Sequence, residues 1–169
     1  MTPGRQYNIL IVEDEKEIAE IIRSYLQLYK GFQNIVIAEE GVQAMQKISN
    51  QEFDLIITDI VMERRDGLTF IDALRRLPKY FNQKIVVVSG CLTADITLSL
   101  LRKNVRHIIV KPFTARQLLT KVVMALGISR RPDEFVDAII QHTAQKLDSD
   151  NKTIGDEYPE EFSEDKAKD

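Results

Sequence analysis

Five times between Tyr7 and Gly127, a short β-branched run is followed by a stretch whose apolar residues recur at helical spacing. The runs lie at 7–12, 34–38, 54–58, 84–89 and 107–110. They are nearly continuous in apolar residues, as expected of parallel strands covered on both faces. Between them lie five stripes: Ile18, Ile21, Ile22, Tyr25 and Tyr29; Val42, Met45 and Ile48; Leu68, Ile71, Leu74 and Leu77; Leu92, Ile96 and Leu100; and Leu118, Leu119, Val122, Val123 and Leu126. Pro78 stops the third and Gly127 ends the fifth. Short joins between alternating strands and helices force right-handed crossovers. The expected fold is therefore α/β: a (βα)5 doubly wound, five-stranded parallel sheet with helices on both faces.

Beyond Gly127 the pattern changes. Arg130-Arg131-Pro132 is a break, and Pro132 suits the first position of a new helix. Phe135, Ile139, Thr143 and Leu147, flanked by Val136, Ile140 and Ala144, predict a sixth, amphipathic helix within 128–147. Residues 148–169 hold nine acids and three lysines, so the acidic excess of a chain with net charge −3 sits there. Low hydrophobicity predicts a disordered acidic tail. The organisation expected is one domain over 1–127, the helix, and the tail.

Composition narrows the function. The weak net charge argues against binding nucleic acid or membrane by bulk charge. One cysteine, Cys91, excludes a disulfide framework, and two histidines make a Cys/His zinc site implausible. No signal peptide and no apolar run of membrane length is visible, so a cytoplasmic protein is expected.

In a doubly wound sheet the functional crevice lies at the carboxyl ends of the strands. The first run ends in Glu13-Asp14, the third in Asp59, the fourth in Ser89-Gly90 and the fifth in Lys111-Pro112-Phe113. Three acids, a hydroxyl and a lysine thus converge on one rim. Singly, each has a plainer reading. Asp14 with Glu17 fits a helix capping box, Ser89-Gly90 is a turn, and Lys111 is a solvated lysine. Together the acids need a cation, because like charges raise one another's pKa. Mg²⁺, satisfied by a few carboxylates and water, answers that need. Such a pocket could take a phosphoryl group on Asp59, a carboxylate nucleophile.

At this point the chain resembles the receiver domain of two-component response regulators. The resemblance rests on 9–15 (Ile-Leu-Ile-Val-Glu-Asp-Glu), Asp59-Ile60-Val61-Met62 with Asp66-Gly67, Ser89-Gly90, and Val110-Lys111-Pro112-Phe113. Separations of 45 residues from Asp14 to Asp59, 30 to Ser89 and 22 to Lys111 also fit. It implies a flavodoxin-like fold and a set of roles. Asp59 would be the phosphoacceptor. Glu13, Asp14, Asp59 and the Val61 carbonyl would hold Mg²⁺. Ser89, Gly90 through its N–H, and Lys111 would bind the phosphoryl group, and Pro112 would follow a cis bond. The chain departs from the family pattern at three places. Glu63 replaces a proline, Ile108 an aromatic that swings inward on activation, and Asn104-Val105 a Gly-Ala. Asn tolerates the left-handed conformation, so that turn should survive.

The resemblance further implies a histidine kinase or phosphotransfer protein as phosphate donor. Output would pass to a downstream protein through the fourth helix, fifth strand and fifth helix, about residues 92–126. The segment after Gly127 is too short for a usual effector domain, so direct DNA binding is not expected; a homodimer is possible. No turnover enzyme is implied. A haloacid-dehalogenase-type phosphohydrolase would need an aspartate where Val61 stands, and no Ser/Thr-rich loop follows the first strand to bind flavin mononucleotide. The rival reading is a degenerate receiver acting as a phosphorylation-independent interaction module. Val61 and Cys91 lack a group to orient hydrolytic water, so a phosphate lifetime beyond minutes is expected. Cys91 itself is read as small and semi-buried, and His107 and His142 as structural or exposed.

Overall fold

The computed structural model describes residues 5–62 and 67–154, with side chains as far as Leu147. Strands β1 (Tyr7–Val12), β2 (Phe32–Ala38), β3 (Leu55–Thr58), β4 (Ile85–Ser89) and β5 (His107–Val110) form one sheet in the order β2-β1-β3-β4-β5. Every pairing is parallel. Helices α1 (Lys16–Leu26), α2 (Gly41–Asn50), α3 (Gly67–Arg76), α4 (Ala94–Arg102) and α5 (Ala115–Leu126) make the crossovers. No helix among the described residues is long and apolar enough to cross a membrane.

Because successive strand residues point to opposite faces, the sheet builds two cores. Ile9, Ile11, Leu55, Ile57, Val86 and Val88 pack under α1 and α5. Leu10, Val12, Ile56 and Val87 pack under α2, α3 and α4. Each such side chain contributes roughly 1.5–3 kcal/mol on burial.

The helix faces differ from the apolar stripes in detail. α1 buries Ala19, Ile22 and Leu26, while Ile21 is 44% exposed. α2 buries Gly41, Ala44 and Ile48, and Val42 is exposed. At the start of α2 a glycine meets α3 closely: a Cβ on Gly41 would stand 3.3 Å from the Cβ of Phe70. The N-cap of α1 is Glu15, which makes no side-chain cap bond, one residue later than the capping box read from Asp14 and Glu17. The two expected left-handed turns are present: Asn104 has φ 56° and Gly127, at the C-cap of α5, φ 69°.

α6 runs from Pro132 to Ile154 and packs on the domain rather than standing apart. Val136 is fully buried against the α1–α5 core, and the Phe135 ring meets Tyr29 edge-on at 5.4 Å. Asp133 accepts from Thr120, and Asp137 takes a bidentate pair from Arg116 at 2.8 and 2.9 Å. The later residue of α6 thus meets the earlier residue of α5, so the helices are antiparallel. α6 also passes the expected end at Leu147, so residues 148–154, assigned above to the disordered tail, are helical. Once a docked turn exists, each added residue gains a hydrogen bond without a new nucleus. Residues 155–169 lie outside the described residues.

Candidate functional site

The sheet's register brings the expected residues to one edge. Val12 pairs with Ala38 and Thr58, and Ser89 with Val110. Backbone bonding then carries one residue beyond the strands. Glu13 N–H donates to the Ala38 carbonyl (3.0 Å), Asp59 N–H to Val12 (3.1 Å) and Lys111 N–H to Ser89 (2.9 Å). The first polar residue after each strand is therefore held as firmly as the strand itself.

Lys111 is the hub. Its Nζ donates to Asp59 Oδ2 at 2.6 Å and to Glu13 Oε2 at 2.9 Å. Glu15 Oε1 stands 3.8 Å away. Glu13 is 1% exposed and Asp59 5%. The other oxygen of Asp59 accepts the N–H groups of Ile60 and Val61, and the other oxygen of Glu13 accepts from Glu15 N–H at 3.3 Å. Burial raises the Glu13 pKa to about 7, helped by Asp59 and opposed by Lys111. Burial works against the Lys111 ammonium as well, but its hydrogen bonds to Asp59 and Glu13 outweigh that and hold its pKa above the usual value.

The remaining expected residues surround this hub. Ser89 is fully buried, its Oγ accepting from Cys91 N–H at 3.4 Å. The Lys111–Pro112 bond is cis. Phe113 meets Tyr25 of α1 edge-on at 6.2 Å. Gly90 is exposed, and a Cβ there would lie 3.9 Å from Lys111 Cβ, so space alone does not demand glycine. Gly67 is different. A Cβ there would fall 2.0 Å from the Asp59 carbonyl oxygen, while its N–H donates to Ile60 at 2.7 Å. Gly67 thus lies directly against the backbone of Asp59. Glu63 and Asp66 lie outside the described residues.

Glu13, Asp14 and Asp59 are the acids expected to hold a cation. Here Glu13 and Asp59 share the Lys111 ammonium, which neutralises the pair locally, and Asp14 is half-buried in the loop to α1. Among the described residues no three His, Cys, Asp or Glu side chains are gathered, and the donors at this rim are all hard oxygens, suited in kind to a divalent cation. Cys91, expected semi-buried, is exposed, because it lies in the open loop between Ser89 and the Thr93 cap of α4.

Two nearby groups carried no assigned role in the sequence reading. Glu15 was visible within the first motif. Thr58, whose buried Oγ1 donates to the Asp59 carbonyl at 2.8 Å, reads as one more strand residue.

A model of the response regulator receiver domain matches residues 9–123. The chain belongs to that family. The receiver is 32% identical over 110 residues to the probable C4-dicarboxylate response regulator DctR of Halalkalibacterium halodurans, a match covering 65% of this chain and 47% of that protein. It is 30% identical over 122 residues to hybrid signal transduction histidine kinase D of Dictyostelium discoideum, covering 72% of this chain and 8% of that protein. The receiver thus spans about half of the first relative and a small part of the second. A CheY-like receiver domain protein from Methanospirillum hungatei superposes with TM-score 0.66 at 25% identity, covering 73% of this chain and 95% of that one. Vibrio cholerae CheY4 shares the fold at TM-score 0.66 and 24% identity, over 72% of this chain and 99% of that one. The family is a signalling module of two-component systems.

Proposed function

We propose that this receiver accepts a phosphoryl group on Asp59 from a histidine kinase or phosphotransfer protein. One observation carries the reading: at the carboxyl ends of the strands, a single ammonium bridges Asp59 at 2.6 Å and Glu13 at 2.9 Å. A carboxylate held in that way is oriented, and its counter-charge can be re-partnered.

In the step, an oxygen of Asp59 attacks phosphorus. The O–P bond forms, the P–N bond of the donor phosphohistidine breaks, and the leaving imidazole nitrogen keeps the electron pair and takes a proton. The acceptor's charge goes from −1 to roughly −2. Lys111 then follows the new phosphoryl oxygens, joined by the Ser89 hydroxyl and the Gly90 N–H. Mg²⁺, for which Glu13, Asp14, Asp59 and the Val61 carbonyl are the donors, would supply positive charge to that phosphoryl group. Movement of Ser89 and its loop reaches α4 directly and β5 through Lys111. The face made by α4, β5 and α5 therefore changes its affinity for a downstream protein.

Incubation with acetyl phosphate and Mg²⁺ tests this. The expected result is a mass gain of one phosphoryl group in the wild type and none in Asp59→Asn. No gain in the wild type overturns the reading in favour of a phosphorylation-independent interaction module. The same experiment times the product. Val61 and Cys91 are exposed and offer no carboxylate or amide to orient water. A half-life beyond minutes is expected, and one of seconds would refute that part.

A further inference from the structure

The two edges of the sheet are defended unequally. β5, at one edge, is four residues long, begins at His107 and is preceded by the exposed Arg106. β2, at the other edge, is the longest strand, seven residues from Phe32 to Ala38, and holds neither a charge nor a proline. Shortness, charge, proline or a bulge usually blunts an edge, because its unpaired backbone groups template another strand. The one irregularity of β2 lies at its start, where Gln33 is an extra residue between the partners of Tyr7 and Asn8. A groove of about 490 Å³ opens there, with Gln33 on one side and Arg23 and Gln27 of α1 on the other, so the edge has open space beside it.

The bonding on the paired side fixes the phase of the free side. The Ala38 carbonyl accepts from Glu13 N–H, so Ala38 turns its backbone groups toward β1. Successive residues of a strand turn theirs to opposite edges. Val36 therefore also faces β1, while Ile35 and Ile37 direct both N–H and C=O outward. Among the described residues no strand lies beyond them. Just past the strand the outward N–H of Glu39 is already taken, by Gln43 Oε1 at 3.1 Å. The open edge is thus short and central, and its two ends carry opposite charge. Lys30, exposed, precedes β2, and Glu39 and Glu40 follow it. None of the three makes an ion pair among the described residues. A parallel neighbour of the same kind would set lysine beside lysine and acid beside acid. An antiparallel one brings opposite charges together at both ends, and a two-fold axis achieves that with a single patch.

We propose that two copies of this chain pair through antiparallel β2 edges, joining their five-stranded sheets into one. Ile35 and Ile37 supply the central backbone hydrogen bonds, and Lys30 of each copy meets Glu39 and Glu40 of the other. Because the paired strands run in opposite directions, the two Asp59 rims point away from each other. The β5 edges lie at the far ends of the joined sheet. Neither is covered, so the pairing stands apart from the phosphoacceptor reading. It presents two output faces at once to a downstream partner.

The test uses the full chain, amide NMR and sedimentation. Between about 20 µM and about 1 mM protein, hydrogen exchange at Ile35 and Ile37 is expected to slow about ten-fold, while Val36, facing β1, stays slow throughout. The sedimenting mass should rise over the same range toward twice that of one chain. Lys30→Glu is expected to weaken the pairing about ten-fold, because acid then faces acid at both ends. E39K with E40K should weaken it by a similar factor, lysine then facing lysine. The triple variant K30E, E39K and E40K should pair as the wild type does, a recovery that damaged folding would not produce. Mass and exchange that ignore concentration overturn the proposal. A doubled mass with Ile35 and Ile37 unchanged overturns it too, because another face is then the interface. Protection of both amides at every concentration has the same force, because a segment of the same chain then lies on the edge. A triple variant that stays monomeric overturns the antiparallel arrangement. Asp59 phosphorylation enters none of these readouts, so the two readings fail separately.

Discussion

Two half-buried cations at opposite ends of the sheet are compensated in different ways. Lys111, at the carboxyl rim, is held by two carboxylates. Arg75, in the last turn of α3, meets no acid. Its guanidinium donates to the backbone carbonyls of Lys103 (2.8 Å), Tyr80 (3.0 Å) and Gln83 (3.1 Å). It thereby ties α3 to the end of α4 and to the turn before β4. Burial lowers the Arg75 pKa, but a guanidinium starts so high that it keeps its charge. Carbonyl dipoles cannot be protonated, phosphorylated or given to another cation. Carboxylates can be all three. The arginine is a staple, and the lysine sits in a site that can change state.

The sharpest way to break this comparison is to remove each cation. Arg75→Met leaves three carbonyls without their donor and is expected to lower stability by about 3 kcal/mol. Urea unfolding reads the loss, and the acetyl phosphate reaction at Asp59 should run at the wild-type rate. Slow phosphorylation in this variant would end the distinction between staple and site. Lys111→Met leaves Glu13 and Asp59 facing each other. A smaller loss, about 2 kcal/mol, is expected in chelator, because Glu13 relieves the repulsion by taking a proton. Phosphorylation should slow by roughly 100-fold, the usual size for removing one placed charge. Adding Mg²⁺ should restore much of the stability of this variant, since carboxylates accept a replacement cation. It should do nothing comparable for Arg75→Met. A magnesium response equal in the two variants would remove the case for a cation site at the rim.

The same contrast explains what could be read in advance. Glu13, Asp59, Ser89 and Lys111 were legible because each is a polar residue directly after an apolar run, and a parallel sheet places such residues on one edge. The partners of Arg75 were not legible. They are backbone carbonyls at residues of no special type, joined only when α3, α4 and an intervening turn have packed. Lys111 between Glu13 and Asp59 was half legible. Convergence followed from topology, but whether the acids meet a lysine or a metal depends on side-chain reach. The partners of α6 escaped for a related reason: its apolar residues announce a helix, while the pairings of Asp133 and Asp137 that set its direction are ordinary surface charges in sequence.

A third basic side chain completes the comparison and gives the smallest effect. His107 has neither carboxylate nor carbonyl compensation among its described hydrogen bonds, and burial, with Lys121 and Arg106 nearby, lowers its pKa. The folded protein therefore releases this proton more readily than the unfolded chain, whose histidine titrates near ~6.5. Well above that pH both states are neutral there and the group is silent. As the pH falls through the unfolded value, the unfolded chain takes up a proton that the folded one refuses, so stability declines until the folded pKa is passed. Glu13 tilts the other way in an overlapping window. Its folded pKa, about 7, lies above its ordinary value of 4.5, so stability falls as pH rises between them. The wild-type curve mixes both slopes, and the difference between wild type and His107→Gln isolates one. That difference is expected to shrink steadily on acidification from about pH 7 to 5, as the histidine's penalty erodes the wild type alone. Urea midpoints at each pH measure it, and parallel curves would show that His107 keeps its proton as readily folded as unfolded.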